Sequence, residues 1–347
     1  MESKESELQN VELNILVFGW NPEFKKVYEE GFRKLSQEFP KIQHYIIVNN
    51  FEEELQKIKD IKIDVICSSP FFSKYVQYAL NNHKTIKWVH SLAAGVEKFL
   101  KLDEISKNEN LLFSNNKGAY SESLGEVGIA SMMYFSYNIY SYTEFMKNKE
   151  WSRPRNKSLL NKNLLIVGYG NNGVCLAKIA KLGFNMKVVG VNRTKRDDIP
   201  GKEYTDELYS IKDLPDKAIN EADFIYATLP SNQETNNIFD INFFKKMNKD
   251  AVFINIGRGN AVVEEDIIYA LENGIIRGAA LDVTKNEPLN KDSKLYNISP
   301  NKLLLTNHSF SNVPEHSKNG FECFAKNLKS YLYKGKPINI VDRQHQY

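Results

Sequence analysis

The feature that most constrains the fold is the alternation of short apolar runs with longer mixed segments along the whole chain. The apolar runs occupy residues 13–18, 44–48, 63–68, 86–90, 111–114, 164–168, 187–191, 224–229, 251–256, 278–283 and 303–306. Continuous apolar runs of this length are typical of strands buried on both faces of a parallel sheet. Helix-compatible segments, such as 22–38 and 72–82, lie between them. This alternation predicts an α/β fold with right-handed crossovers.

The length of 347 residues is too great for one ordinary domain and suits two. We predict two Rossmann-like or flavodoxin-like domains with parallel sheets and an active site in the cleft between them. Segment 121–147 has helical periodicity with little interruption and predicts one long helix at the domain boundary. The predicted domains are a substrate-binding domain, formed by 1–120 and 313–347, and a dinucleotide-binding domain at 121–312. A helix predicted at 312–335 would return to the first domain.

Composition excludes several classes of function. The formal net charge is only +3, and the basic residues are scattered, which argues against a nucleic-acid partner. The three cysteines, Cys67, Cys175 and Cys323, are far apart and form no C-x-x-C pair, so neither a metal site nor a disulfide framework is expected. No apolar run approaches the roughly 20 residues that span a bilayer. The polar, acidic start of the chain lacks a signal-peptide pattern, and we expect a cytoplasmic protein.

A glycine-rich turn follows the apolar run 164–168 and precedes an amphipathic segment. Gly168, Gly170 and Gly173 give the spacing G-x-G-x-x-G. The first glycine permits a tight turn, the second lets the backbone approach a pyrophosphate, and the third lets the helix pack close to its strand. The N–H groups at the start of the helix would face the phosphates. In this strand–turn–helix setting the motif predicts a dinucleotide site.

The end of the next strand bears on the choice of dinucleotide. An NAD site usually offers Asp or Glu there, to bind the ribose 2′-hydroxyl. Here the segment reads Asn192-Arg193-Thr194-Lys195-Arg196. Its cations and hydroxyl suit a 2′-phosphate, so NADP(H) is favoured over NAD(H). The alternative is a solvated loop in which Asp197 or Asp198 binds the ribose.

Three residues in the second half carry groups suited to acid–base chemistry on a carboxylate substrate. Arg258 follows the run 251–256, at the edge of a parallel sheet where ligands bind. A guanidinium can bind a carboxylate through two hydrogen bonds. His308 follows the run 303–306 and is a candidate proton carrier, and Glu287 could hydrogen-bond one of its ring nitrogens. Each residue alone would more often be an ordinary surface residue, but the joint pattern favours a site.

The surrounding sequence resembles the D-isomer-specific 2-hydroxyacid dehydrogenases. The similarity is dense at 164–310 and sparse before residue 85. It rests on these positions: Gly257-Arg258-Gly259, Val262, Glu264, Ala270-Leu271, Gly274, Gly278-Ala279-Ala280-Leu281-Asp282-Val283 and Glu287-Pro288-Leu289, with Ala94-Gly95-Val96 and Glu126 upstream. Three positions depart from the family's usual pattern: Asn307 replaces proline, Glu97 replaces aspartate, and Thr284 replaces an aromatic residue.

The resemblance implies a catalytic triad of Arg258, Glu287 and His308. It also implies that backbone N–H groups near Ala94 and Gly95 bind the substrate carboxylate and that Asp282 faces the nicotinamide. The further predicted cofactor-binding residues are Asn171, Asn172, Leu229, Pro230, Ile256 and Gly257. Family members are usually dimers built through the coenzyme domain, so a homodimer is expected, with an arm that includes 121–147.

The predicted activity is the NAD(P)H-dependent reduction of a small 2-ketoacid to a D-2-hydroxyacid. The Asn-Arg-Thr-Lys-Arg segment resembles the NADPH-using glyoxylate and hydroxypyruvate reductases of the family, so a substrate of that kind is favoured. One alternative is an NAD-linked D-lactate or phosphoglycerate dehydrogenase. Another, from a different class, is a dinucleotide-sensing protein similar to the C-terminal-binding-protein corepressors, without significant turnover.

Overall fold

The computed structural model describes residues 11–195 and 198–346, which form two compact units. The second unit is Ser121–Val313, and the first unit consists of the described residues before and after it. Each unit has its own parallel sheet. The predicted α/β fold with two parallel-sheet, Rossmann-like domains is therefore confirmed.

The sheet of the first unit has five strands. They are β1 Leu13–Phe18, β2 Ile42–Ile47, β3 Val65–Ser68, β4 Trp88–Ser91 and β5 Leu112–Asn115. All neighbours pair in parallel, in the order β2-β1-β3-β4-β5. The helices of this unit are α1 Pro22–Glu38, α2 Phe51–Lys57, α3 Ser73–Asn82, α4 Asp103–Ser106 and, after the second unit, α11 His316–Lys334.

Helix α11 packs on α1 and completes a core of the first unit. The rings of Phe32 and Phe321 meet edge to face at 5.2 Å. Phe324, also fully buried, stacks with Trp88 of β4 at 5.7 Å. Because carboxyl ends of parallel strands meet at one edge, the loops after β1, β3, β4 and β5 lie at the same edge of this sheet.

The sheet of the second unit has seven strands. They are β6 Asn163–Val167, β7 Lys187–Asn192, β8 Glu207–Ser210, β9 Phe224–Ala227, β10 Val252–Asn255, β11 Gly278–Leu281 and β12 Leu303–Leu305. They pair in parallel in the order β12-β11-β10-β9-β6-β7-β8. Its helices are α5 Ser121–Ser136, α6 Ile139–Asn148, α7 Asn171–Phe184, α8 Asp216–Glu221, α9 Ile241–Lys246 and α10 Glu264–Glu272.

Two sequence predictions about elements are corrected by the structure. The predicted long helix at 121–147 is divided into α5 and α6, because Asn138 adopts the left-handed conformation with φ 48°. The guanidinium of Arg277 holds this break through hydrogen bonds to the Phe135 carbonyl and to Asn138 Oδ1. Strand β8 was not predicted, because it is a half-exposed edge strand that begins with a charged residue.

Candidate active site

His308 and Glu287 form a direct pair in the second unit. Nδ1 of His308 lies 2.8 Å from Oε2 of Glu287, and the other carboxylate oxygen accepts a hydrogen bond of 3.1 Å from the Thr284 N–H. A carboxylate can only accept, so Nδ1 donates the proton of this bond and Nε2 faces away from Glu287. Both side chains are partly exposed, at 46% for His308 and 38% for Glu287, so a substrate can reach them.

The turn that carries His308 is held by Asp282. Asn307 and His308 both have left-handed backbone conformations, with φ of 55° and 53°. The Asp282 carbonyl accepts from the His308 N–H at 2.6 Å. Oδ1 of Asp282 accepts from Thr306 Oγ1 at 2.8 Å and from the Ser309 N–H at 2.9 Å. A conformation that non-glycine residues rarely adopt is thus fixed by several hydrogen bonds at the candidate site.

The electrostatics of the pair favour a protonated His308 beside an ionised Glu287. The hydrogen bond and the charge of Glu287 raise the pKa of His308, although partial burial opposes this. Partial burial acts to raise the pKa of Glu287, but the hydrogen bond and charge of His308 outweigh it and lower that pKa. Burial raises the pKa of Asp282, and hydrogen bonds from Thr306 and the Ser309 N–H offset part of this effect. His308 therefore keeps its proton to higher pH than an isolated imidazole.

Arg258 follows β10 and lies close enough to act on this pair. Its charge lowers the pKa of both Glu287 and His308. Its backbone is fixed by Asn255, whose side chain donates to the Arg258 carbonyl at 3.1 Å and accepts from the Gly257 N–H at 3.1 Å. A Cβ at Gly257 would lie 2.6 Å from the Leu229 backbone, so only glycine fits there. The structure thus brings Arg258, Glu287 and His308 into one electrostatic cluster, whereas Asn255 was not predicted from sequence.

The glycine-rich turn joins β6 to α7. Gly168 has φ +102°, and a Cβ at Gly173 would lie 2.8 Å from the Gly168 carbonyl oxygen. Gly170 is the N-cap of α7, so no side chain caps the first N–H groups of this helix. A Cβ added at Gly170 would have no other atom within 4 Å. The turn therefore leaves the start of α7 accessible on the side where a pyrophosphate would bind.

Asn172 fixes the first turn of α7 to its surroundings. Its amide nitrogen donates to Thr228 Oγ1 at 3.1 Å, and its amide oxygen accepts from Ser121 Oγ at 2.6 Å. Thr228 follows β9 and precedes the predicted cofactor residues Leu229 and Pro230, which are half-buried. Thr228 and Ser121 were missed in the sequence because neither belongs to a motif, and their partner lies more than 50 residues away.

The predicted 2′-phosphate segment follows β7. Asn192 is half-buried, and Arg193, Thr194 and Lys195 are exposed. Lys195, with Lys202, also lines a cavity of about 310 Å³ beside β8. Arg196 and Asp197 lie outside the described residues.

Ala94 and Gly95 belong to the loop after β4 in the first unit. The Ala94 carbonyl accepts a hydrogen bond of 2.8 Å from Asn115 Nδ2, and the Ala93 carbonyl accepts from the Asn116 N–H at 3.3 Å. Ala94 is exposed and Gly95 is half-buried. The loop is thus anchored through its carbonyl groups to the end of β5.

Residues 129–309 match the model of the D-isomer specific 2-hydroxyacid dehydrogenase NAD-binding domain. The chain belongs to this dehydrogenase family. It is therefore an oxidoreductase of the 2-hydroxyacid dehydrogenase type, with an NAD-binding domain.

Two relatives illustrate the sequence similarity to family members. The chain is 30% identical over 329 residues to a probable 2-ketogluconate reductase from Dictyostelium discoideum, covering 92% of this chain and 94% of that protein. It is 33% identical over 239 residues to glyoxylate/hydroxypyruvate reductase B from Klebsiella pneumoniae, covering 67% and 72% of the two chains.

Solved structures show the same fold. A D-isomer specific 2-hydroxyacid dehydrogenase family protein from Aeromonas salmonicida aligns with a TM-score of 0.79 at 25% identity, covering 96% of this chain and 100% of that one. The NADPH-dependent glyoxylate/hydroxypyruvate reductase SmGhrA from Sinorhizobium meliloti, crystallised with NADP and sulfate, aligns with a TM-score of 0.76 at 23% identity, covering 97% and 100%.

Residues 11–195 and 198–346 show neither a membrane-spanning helix nor a cluster of metal ligands. None of the helices there is long and apolar enough to cross a membrane. In the same ranges, no group of three or more His, Cys, Asp or Glu residues is arranged to hold a metal ion.

Proposed function

We propose that this dehydrogenase reduces a small 2-ketoacid to a D-2-hydroxyacid with NADPH. The observation that carries the proposal is the hydrogen-bonded pair of His308 and Glu287, which lies within electrostatic range of Arg258 in a unit of the NAD-binding family. An imidazolium, a carboxylate that stabilises it and a guanidinium are the groups needed to protonate an alkoxide beside a bound carboxylate.

Each residue of the triad has a defined role in this reaction. Arg258 binds the substrate carboxylate and polarises the adjacent keto oxygen. When bound, the reduced nicotinamide supplies the hydride that the keto carbon accepts. His308 donates its Nε2 proton to the developing alkoxide, because Nδ1 is occupied by Glu287. Glu287 keeps the imidazolium charged until that transfer, and Asp282 keeps the His308 turn in place.

The residues of the second unit fit a dinucleotide. The open space beside Gly170 and the uncapped start of α7 suit a pyrophosphate. Asn171, Asn172 and Ile256 are proposed to line the same site. We assign the 2′-phosphate to Arg193, Thr194 and Lys195, which are exposed after β7 and offer two positive charges and a hydroxyl. This charge supports NADP(H) over NAD(H).

The substrate class follows from the same groups. A 2-ketoacid presents one carboxylate and one keto oxygen, which Arg258 and His308 together can serve. The backbone N–H groups of Ala94 and Gly95 are proposed as the second binding site for the carboxylate. Similarity to glyoxylate/hydroxypyruvate reductase B favours a glyoxylate- or hydroxypyruvate-like substrate.

We also propose that the protein is a homodimer formed through the second unit. Ile139, Tyr142 and Met146 lie on one face of α6, a helix without any buried residue among those described. Met146 is 78% exposed, and Trp151, just beyond the helix, is 91% exposed. Apolar side chains that are exposed together on a helix favour contact with a second copy of the chain. The cytoplasmic location expected from sequence stays a prediction.

The proposed function is tested by absorbance at 340 nm with purified protein. NADPH and NADH are offered separately with glyoxylate, hydroxypyruvate, pyruvate and a bulkier aromatic 2-ketoacid, and His308→Ala serves as the inactive control. We expect turnover with NADPH well above that with NADH, and retained cofactor binding but little turnover in the variant. Turnover with NADH alone would overturn the cofactor assignment. Tight cofactor binding with no turnover of any 2-ketoacid would favour the corepressor-like alternative.

A further inference from the structure

A chain of buried polar side chains lies beneath the proposed carboxylate-binding loop in the first unit. Its members are Trp88 and His90 of β4, Ser114 of β5, and Asn116 just after β5, and each is fully buried. Burial lowers the pKa of His90 to about 4, so its imidazole is neutral at physiological pH. A neutral imidazole has one N–H donor and one acceptor nitrogen, and the two ends of the chain determine which nitrogen is which.

The donor and the acceptor of every hydrogen bond among these four side chains can be assigned. Trp88 Nε1 can only donate, and it donates to Ser114 Oγ at 2.8 Å. At the other end, the Leu92 carbonyl can only accept, and it accepts from Asn116 Nδ2 at 3.1 Å. The amide oxygen of Asn116 therefore faces His90 Nε2, 2.8 Å away, and must accept its proton. Nδ1 of His90 is then the acceptor for the Ser114 hydroxyl at 2.7 Å.

This series of hydrogen bonds ends at the backbone of the loop that contains Ala94 and Gly95. The Leu92 carbonyl also accepts from the Tyr120 hydroxyl at 2.8 Å, and that hydroxyl accepts from Asn116 Nδ2 at 3.1 Å. The main-chain N–H of Asn116 donates to the next carbonyl, that of Ala93. One residue, Asn116, thus holds two successive carbonyls of the loop.

Fixing these carbonyls fixes the N–H groups that are proposed to bind substrate. In a trans peptide the C=O and the N–H point in opposite directions within one plane. The Ala93 carbonyl shares its peptide with the Ala94 N–H, and the Ala94 carbonyl, held by Asn115, shares its peptide with the Gly95 N–H. Both N–H groups are therefore directed away from β5. Neither donates a hydrogen bond to a backbone carbonyl in the ranges 11–195 and 198–346.

We propose that His90 is a positioning residue for 2-ketoacid binding: by accepting from Ser114 and donating to Asn116, it fixes the Leu92–Gly95 backbone so that the Ala94 and Gly95 N–H groups face the substrate carboxylate. This inference rests on the proposed function, since it assigns a carboxylate to that loop. His90 itself does not touch substrate. Its loss should weaken substrate binding and leave the chemical step and the cofactor site intact.

The test compares four variants by steady-state kinetics at saturating NADPH, with the 2-ketoacid that the wild-type protein reduces best. His90→Leu removes both hydrogen bonds, whereas His90→Gln can still donate to Asn116 Oδ1. Tyr120→Phe removes one donor from the Leu92 carbonyl and keeps the ring. His83→Leu is the matched control, because His83 is a buried histidine of the same unit whose hydrogen bond, 3.1 Å to the Ile61 carbonyl, lies outside this chain.

For His90→Leu we expect a KM about tenfold higher, a kcat within about threefold and an unchanged Kd for NADPH, since uniform binding to ground and transition states is lost. His90→Gln should have a KM close to that of the wild type, and Tyr120→Phe should have a KM about threefold higher than the wild type. An unchanged KM in His90→Leu, or an equal rise in His83→Leu, overturns the inference. If His90→Leu does not fold, an unchanged KM in Tyr120→Phe overturns it. If the wild-type protein reduces no 2-ketoacid, both the proposed function and this inference are overturned. If the wild type turns over and His90→Leu has an unchanged KM, only this inference is overturned.

Discussion

Glu287 raises the pKa of His308 through its charge and one hydrogen bond of 2.8 Å. In the proposed mechanism, reduction of a ketone requires a proton on His308, so the reductive rate should be highest where the imidazole is charged and should fall as pH rises through the pKa of His308. Because Glu287 raises that pKa, the wild-type enzyme should keep its reductive activity further into the alkaline range than an isolated histidine would allow.

Replacement of this carboxylate by its amide should move the pH profile. In Glu287→Gln the negative partner is gone, so the pKa of His308 falls and the descending limb of kcat/KM against pH moves to lower pH. At pH 8 the variant should lose roughly 10²-fold in kcat/KM, since it loses most of its general acid. The profile is measured at saturating NADPH from pH 5.5 to about 9, the range in which an imidazole titrates.

A carboxylate far from the site provides the control for this change. Glu272, exposed at the end of α10, can be replaced by Gln with the same loss of charge. Its profile should coincide with that of the wild type. If Glu287→Gln gave the same descending limb as the wild type, Glu287 would not determine the protonation of His308.

Sequence predicted the chemical groups of the site better than the contacts that hold them. Arg258, Glu287 and His308 were predicted because each follows a recognisable strand or motif. The role of Asp282 in holding the His308 turn was not predicted, because three of the hydrogen bonds to Asp282 come from backbone N–H groups, those of His308, Ser309 and Phe310. Any residue type supplies such a donor, so the sequence gives no signal for it.

At the scale of elements, α7 begins directly after Gly170, a glycine with open space where a side chain would lie. A Cβ at Gly170 would meet nothing within 4 Å, and the same is true of Gly183 near the other end of this helix. The two positions therefore tolerate a methyl group equally well in the folded chain. They differ in whether that methyl group would occupy the space proposed for a pyrophosphate.

We expect Gly170→Ala to lower the affinity for NADPH by about tenfold or more while the melting temperature stays near that of the wild type, because the added methyl blocks the approach of the phosphates. Gly183→Ala should keep the wild-type affinity and gain up to about 1 kcal/mol in stability from its better helix propensity. Fluorescence titration with NADPH and thermal unfolding measure both. Equal affinities in the two variants would contradict a pyrophosphate at Gly170.

The boundaries of elements were predictable where they depend on neighbouring residues. Helix α1 begins where Asn21 accepts from the Phe24 N–H and Pro22 takes the first helical position, a pattern visible in the sequence. The break between α5 and α6 was not predictable in this way. Arg277 and Asn138 are 139 positions apart in the sequence, and a contact between residues so far apart cannot be predicted from local periodicity.

At the scale of the whole molecule, the apolar face of α6 predicts an assembly. The wild type should have twice the chain mass of 40.0 kDa in light scattering, because Ile139 and Met146 would be covered by a second copy. Replacing both by Asp should give the mass of one chain, since buried charges without partners oppose association. The control is Ile338→Asp, which changes an exposed apolar residue of the first unit and should leave the mass unchanged. A wild-type protein with the mass of one chain would exclude the proposed dimer.

The second unit is inserted into the sequence of the first, and this has a consequence for synthesis on the ribosome. Residues 121–313 are complete in themselves, so the second unit can fold as soon as its own last strand has emerged. The core of the first unit needs Phe321 and Phe324, which are made only after the whole second unit. Until then Phe32 can stack on His44 of β2 but lacks the rings of Phe321 and Phe324. The first unit therefore begins to be made before the second unit but is completed after it, and the nascent chain exposes the apolar surface that α11 will cover while the whole second unit is synthesised.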